Sequence, residues 1–240
     1  QAMGKQGFPA HLVLDFSDAF FQIPTRAEEQ RFAVVKFRDQ WVLFVRAPQG
    51  SRGAPLLWAR VCALICRLGV SLCDARFVKV NSYVDDPSML FYGTSGEIQR
   101  SIAKIVGGWL ALGFRMAFHK AAFEGLGAAI TWTSARFTLM TDGILVQVKE
   151  AIVADVARQI DEILAGNVVS TKVLEEFLGR ANCIASLLQV WRPFLSMVWT
   201  AMNSKDDRPA VNCIWTRRIK TPLHWCKVFL QNEPGAMKRK

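Results

Sequence analysis

The chain has 240 residues, 51% of them hydrophobic, and a formal net charge of +10; this excludes a disordered chain, allows one large or two small domains, and favours a polyanion or acidic membrane surface as partner. Its six cysteines form no C-x-x-C pair and have no cluster of histidines beside them, which argues against zinc; with no signal peptide and no N-x-S/T sequon, reduced thiols in an intracellular protein are expected. The longest apolar stretch, residues 56–73, is interrupted by Arg60 and Arg67, so a membrane span is not expected.

In chain order, His11-Leu12-Val13-Leu14-Asp15-Phe16 reads as a short strand buried on both faces that delivers a carboxylate at its C-terminal end. Taken alone, Asp15 would read as a cap or turn residue. Residues 17–24 form a turn closed by Pro24, and residues 32–37 and 41–46 make a hairpin. The Gly- and Pro-rich loop 47–55 then opens a helix, whose free N–H groups suit an anion and whose glycines admit close backbone approach. Along that helix Leu57, Val61, Leu64, Leu68 and Leu72 form one apolar stripe, predicted to face the core, with Arg60 and Arg67 off it.

Val80-Asn81-Ser82-Tyr83-Val84-Asp85-Asp86-Pro87-Ser88-Met89-Leu90 is the stretch around which the rest is arranged. Two apolar runs flank adjacent aspartates, the pattern of a hairpin with carboxylates at its tip. No Lys or Arg lies between Lys79 and Arg100 to neutralise them. Adjacent carboxylates repel and raise one pKa, a cost that a divalent cation between them reverses. A solvated Asp-Asp turn is the plain alternative.

Thr94-Ser95-Gly96-Glu97 has capping-box spacing and starts a helix to about Gly113, with Ile98, Ile102, Ile105 and Leu112 as core candidates. Residues 129–133 and 136–139 read as a second hairpin, and Asp142-Gly143 opens the next strand. From Lys149 the pattern is helical. Ile152, Val156, Ile160 and Ile163 form one stripe; Leu174, Phe177, Leu178, Ala181, Ala185 and Leu188 a second; Trp191, Phe194, Leu195, Val198 and Met202 a third. Three such helices with short joins predict a small bundle, with a domain boundary near residue 149. Residues 205–240 carry nine Lys/Arg against three Asp/Glu and read as a basic tail, either solvated or bound to a polyanion.

The order strand-Asp15, Pro-Gln-Gly loop with helix, then Asp85-Asp86 hairpin resembles the palm of a reverse transcriptase of the retrotransposon and retroviral kind. The residues that carry the likeness are Leu14-Asp15-Phe16-Ser17-Asp18-Ala19-Phe20-Phe21-Gln22-Ile23-Pro24, Pro48-Gln49-Gly50 with Ala54-Pro55, and Tyr83-Val84-Asp85-Asp86. Leu174-Glu175-Glu176-Phe177-Leu178-Gly179-Arg180-Ala181-Asn182 is similar to the thumb of the same elements.

The resemblance implies an α+β fold: a polymerase-type palm, an antiparallel sheet backed by helices, followed by a small helical thumb, with the fingers largely missing. Its parts would be a palm over residues 1–124, a primer-grip-like hairpin over 125–148, the thumb over 149–203, and a basic tether over 204–240 leading toward a downstream domain. In such elements that domain is often a ribonuclease H of the same polyprotein. The implied activity is template-directed DNA synthesis, RNA-directed included, on an RNA or DNA template with its primer and with deoxynucleoside triphosphates; no membrane is involved.

The same resemblance assigns two magnesium ions, replaceable by manganese, to Asp15, Asp85 and Asp86, and proton donation to the departing pyrophosphate to Lys120. Asp18, Ala19, Phe20, Gln49 and Gly50 would line the incoming nucleotide, with Phe20 barring a 2′-hydroxyl, and Trp132 would lie at the primer end. Three features depart from the pattern: only some ten residues precede the Asp15 strand, Pro87 follows Asp86 directly, and the Trp132 hairpin lacks the usual glycine. A degenerate copy that binds nucleic acid without catalysis therefore stands as the alternative, and an RNA-dependent RNA polymerase is disfavoured by Phe20. Lys238-Arg239-Lys240 is too short to choose between cytoplasm and nucleus.

Overall fold

The computed structural model describes residues 7–204, 207–231 and 237–239, and the chain divides into two compact units, Gln1–Thr133 and Ser134–Lys240. Among the described residues the fold is α+β, with antiparallel sheets and seven α-helices. The division falls between two strands that the sequence pattern joins as a hairpin, not near residue 149, where the change to helical periodicity placed it.

The first unit contains β1 (Phe8–Val13), α1 (Ala27–Gln30), β2 (Val34–Phe37), β3 (Gln40–Leu43), α2 (Ala54–Ser71), β4 (Val78–Tyr83), β5 (Asp86–Gly93), α3 (Ser95–Ala111), β6 (Ala122–Glu124) and β7 (Ala129–Trp132). Its sheet has the order β4-β5-β1-β6, antiparallel throughout. Alternation along the strands sends Ala10, Leu12, Val78, Met89 and Phe91 to one side, where Trp58, Cys62 and Ile65 of α2 and Ile98, Ile105 and Trp109 of α3 complete a buried core. The central strand β1 is thus covered before it reaches Asp15.

Helix α2 corrects a sequence expectation. Its buried face is Trp58, Cys62, Ile65, Cys66 and Gly69, while Leu57, Leu64, Leu68 and Leu72 are exposed. The helix is apolar nearly all round, so periodicity cannot select the core face; the bulky indole of Trp58 and the small residue Gly69, 3.0 Å from Ile105 when a Cβ is placed on it, decide the packing. On length and composition alone α2 is long and apolar enough to cross a bilayer, and its Trp58 side is buried in this core.

Helix α3 starts as its capping box predicts, with the Glu97 carboxylate accepting from both the backbone N–H and the hydroxyl of Thr94 (2.8 and 2.7 Å). Ile98 and Ile105 are buried and Ile102 packs on them, but Leu112, expected in the core, is exposed beyond the helix end. The β2–β3 hairpin turns through Arg38 and Asp39, both in the left-handed region as a two-residue hairpin requires, and its strands are solvent-exposed.

The second unit contains β8 (Ala135–Met140), β9 (Gly143–Val148), α4 (Glu150–Ala165), β10 (Val168–Ser170), α5 (Thr171–Leu187), α6 (Arg192–Asn203), β11 (Cys213–Trp215), α7 (Lys220–Gln231) and β12 (Met237–Arg239). The three helical stripes read from sequence converge as expected: Val156, Ile160 and Ile163 with Leu174, Phe177, Leu178, Ala181, Leu195 and Val198 in one core. The stretch expected as a basic tether does not behave as one. Ile214, Ile219, Leu223 and Cys226 are fully buried in that core, β11 pairs with β10, and β12 pairs with β9. Among the described residues Arg208, Arg217 and Lys220 are exposed, and the apolar residues between and after them make α7 a fourth packed helix. All six cysteines are free thiols.

One buried titratable group bears on stability. His11, 2% exposed in the middle of β1, shares a 2.8 Å hydrogen bond with Ser88 Oγ, and burial holds its imidazole down to about 4 from the ordinary 6.5. The unfolded chain therefore binds more protons than the folded one between those values. The His11 contribution to stability is complete above pH 6.5 and is lost as pH falls toward 4, with a slope of up to about 1.4 kcal/mol per pH unit. Urea titrations between pH 7 and 4.5 should give a shallower loss for His11→Gln than for the wild type; parallel curves would contradict this assignment.

Candidate active site

The β4–β5 hairpin closes on the pair Tyr83 and Asp86, leaving Val84 and Asp85 as a two-residue turn. Val84 has φ +54°, a conformation that a β-branched residue adopts only under constraint. The constraint is visible in four consecutive carbonyls. Val84 O accepts from Trp58 Nε1 (2.6 Å), Asp85 O from the Phe16 N–H (2.9 Å), Asp86 O from Trp132 Nε1 (3.0 Å) and Pro87 O from the Leu14 N–H (3.0 Å). Pro87 has no N–H to give, and only its carbonyl is used here, which explains why proline is tolerated at this point of β5.

Two of those donors flank Asp15. The backbone that extends β1 is thus tied to the acidic turn on both sides of the aspartate. On its other side the same segment is held by Ala117, whose N–H donates to Asp15 O (2.8 Å), and by Arg115, whose carbonyl accepts from the Ser17 N–H (3.0 Å). Beneath it Phe16, 1% exposed, packs edge-on against Trp58 (5.1 Å between ring centroids) and also against Trp109 (5.2 Å) and Phe114 (6.0 Å).

After Asp15 the chain turns through Asp18, which is left-handed (φ 49°, ψ 48°), into a short 3₁₀ turn, Ala19–Gln22. Gln22 fixes this loop: its amide donates to Ser17 O (2.5 Å) and Arg115 O (3.0 Å), and its carbonyl oxygen accepts from the Arg115 N–H (2.8 Å). A glutamine just before the turn-closing Ile23-Pro24 was the only sequence signal for this clamp.

The result is a cavity of about 210 Å³ whose lining includes Asp15, Asp18, Ala19, Phe20, Gln49, Asp85 and Lys120. Asp15 is buried, whereas Asp85 and Phe20 are half-buried. Of the other residues proposed from sequence, Asp86, Gly50 and Trp132 do not line the cavity. Asp86 points its carbonyl to Trp132, Gly50 is left-handed in the neighbouring loop (φ +88°), and Trp132 braces the acidic turn. Trp58 was not singled out from sequence, because nothing local marks an indole that bonds a carbonyl 26 residues away.

The electrostatics are those of crowded acids with one cation among them. Lys120, carried by a 3₁₀ turn whose N–H bonds Ala117 O, makes an ion pair with Asp15. The hydrogen bond to Asp15, and then the charges of Asp15, Asp85 and Asp86, push the Lys120 ammonium above the usual lysine range. Burial, followed by the charges of Asp85 and Asp15, pushes the Asp86 carboxyl up, against the pull of Lys120.

Among the described residues no group of three or more His, Cys, Asp or Glu side chains gathers as a closed metal cage. Magnesium does not need one. It is held by one or two carboxylates with water and substrate phosphates completing the shell, so Asp15 and Asp85 facing one small polar cavity fit it.

A scan against protein families gives no match, and a search of curated proteins gives none either. Solved structures do match. The chain is similar to a foamy viral protease-reverse transcriptase in complex with an RNA/DNA hybrid, at 19% identity and a TM-score of 0.62 over 96% of this chain and 28% of that one. It is also similar to the same kind of protein in complex with double-stranded DNA, at 18% identity and a TM-score of 0.61 over 96% of this chain and 44% of that one. A further foamy viral protease-reverse transcriptase structure, bound to double-stranded DNA, gives 18% identity and a TM-score of 0.59 over 91% and 35%. The fold is therefore reverse-transcriptase-like, and the chain spans less than half the length of these neighbours.

Proposed function

We propose that this chain is the palm and thumb portion of an RNA-directed DNA polymerase from a retrotransposon or retrovirus-like element, with residues 7–133 carrying the catalytic centre. The observation that carries this reading is the Phe16 N–H to Asp85 O bond, which brings two aspartates 70 residues apart onto one cavity. The reverse-transcriptase-like fold supports it.

In this reading Asp15 and Asp85 hold the metal, and Asp86 supports them from behind the turn. A pair of magnesium ions held there would supply charge stabilisation for an in-line phosphoryl displacement. The protein's own residues do the rest. The rigid turn fixes Asp85 against Asp15, and the left-handed Asp18 and the Ala19 turn present backbone at the triphosphate end. Gln49 lies along the base. Phe20 fills the floor where a 2′-hydroxyl would project, selecting deoxynucleotides. Lys120, held charged by the acids around it, would give a proton to the departing pyrophosphate once substrate draws it from Asp15. Duplex is gripped through its phosphates, so binding weakens with salt.

The Lys120–Asp15 pair also favours a second reading, in which the ammonium takes the place of a metal and the chain binds template and primer without extending it. Primer extension with Mg²⁺ separates the two. The catalytic reading predicts that Asp85→Asn lowers the extension rate by about 100- to 1000-fold, since ligand loss removes several kcal/mol of transition-state stabilisation; equal rates for both proteins would remove Asp85 from the metal site. Phe20→Ala should raise incorporation of ribonucleotides relative to deoxynucleotides by about tenfold or more, as removing a steric bar is worth at least one such factor. An unchanged ratio would leave Phe20 as a packing residue only.

A further inference from the structure

The Asp85 turn is strained at Val84 and needs an external restraint, and the restraint is unequally shared. Leu14 and Phe16 donate from the backbone of β1 and its extension, as any neighbouring strand would. The Val84 carbonyl, at the strained residue itself, is met by two side chains: Trp58 Nε1 at 2.6 Å and, more weakly, Ser82 Oγ at 3.3 Å. Ser82 in turn accepts from Cys62 Sγ (3.1 Å), one helical turn beyond Trp58 on α2. Trp58 is fully buried, and its ring packs against Phe16. A single indole therefore touches both halves of the candidate site, the residue after Asp15 through its ring and the residue before Asp85 through its N–H.

We infer that Trp58 is a positioning residue for this site: its N–H holds Val84 in the left-handed conformation and thereby sets where the Asp85 carboxylate stands relative to Asp15. Trp58 is fully buried, so its N–H is costly to leave unpaired, and the indole resists relaxation of the part-exposed turn. The metal-binding part of this inference rests on the polymerase reading; the part concerning the turn does not.

The test compares Trp58→Phe with Trp109→Phe. Phenylalanine keeps an aromatic ring in the core and removes the donor together with some ring volume, a loss of volume that the control shares. Trp109 is the matched control, because it too packs on Phe16 (5.2 Å) and donates a buried indole bond, but to Ile65 O (2.9 Å), away from the turn. Amide hydrogen exchange would be followed at Leu14 and Phe16, whose N–H groups bond Pro87 and Asp85. Trp58→Phe should speed exchange at both by about tenfold or more relative to the rest of β1 and β5, and Trp109→Phe should not. Mn²⁺ affinity, read by paramagnetic resonance of the free ion, should fall several-fold in Trp58→Phe alone. Adding Val84→Gly, which relieves the strain, should recover part of the lost affinity.

Equal exchange at Leu14 and Phe16 in the two variants would overturn the inference, as would acceleration spread evenly across the whole sheet. A wild-type protein that binds no Mn²⁺ would defeat the polymerase reading, and the exchange data would still decide the role of Trp58.

Discussion

A hydrogen bond from the Phe16 amide to the Asp85 carbonyl is the constraint on which the candidate site depends. Aspartate has a single methylene between backbone and carboxylate, so the separation of two aspartates is set almost wholly by their main chains. Here the main chains are coupled directly, through Phe16 and Leu14 on one side and Asp85 and Pro87 on the other. The aromatic packing of Phe16 against Trp58, Trp109 and Phe114 fixes one end of that coupling. Acceptance of four consecutive carbonyls fixes the other. The strain at Val84 persists because its surroundings over-determine it.

The same arrangement concentrates negative charge. Asp15 and Asp85 share a small cavity, and Asp86 lies close enough for their charges to raise its pKa. Only Lys120 offsets them within the cavity lining. A site of this kind attracts cations, and the partly exposed Lys120 can be exchanged for a divalent ion at lower cost than a buried partner could. The second unit contributes a separate core built on Phe177, Leu178 and Trp191, so its stability is supplied locally.

Much of this was legible in the sequence, and the failures have physical reasons. Alternation and flanking turn residues gave the β4–β5 hairpin with Asp85 at its tip, and 3.6-residue periodicity gave α4, α5 and α6. In α2 the pattern misled, because apolar residues line both sides: the leucines are exposed, and the core face of Trp58, Cys62, Ile65 and Gly69 was chosen by shape. In residues 213–231 the cations drew attention from Ile219, Leu223 and Cys226, which follow helical spacing and are buried. Of the candidate site, Asp15, Asp18, Ala19, Phe20, Gln49, Asp85 and Lys120 line one cavity. The braces Trp58, Gln22 and Trp132 were not readable as such, since each acts on a carbonyl or amide distant in sequence.

The central claim is that backbone coupling between β1 and the acidic turn creates one metal position served by Asp15 and Asp85. Crystals of the protein grown with Mn²⁺ and a primer-template, measured at the manganese absorption edge, test it most directly. The account predicts an anomalous peak within about 2.5 Å of a carboxylate oxygen from each of these two aspartates, with Lys120 withdrawn from Asp15. A peak bound elsewhere, or Lys120 still seated on Asp15 with no manganese beside it, would contradict the account.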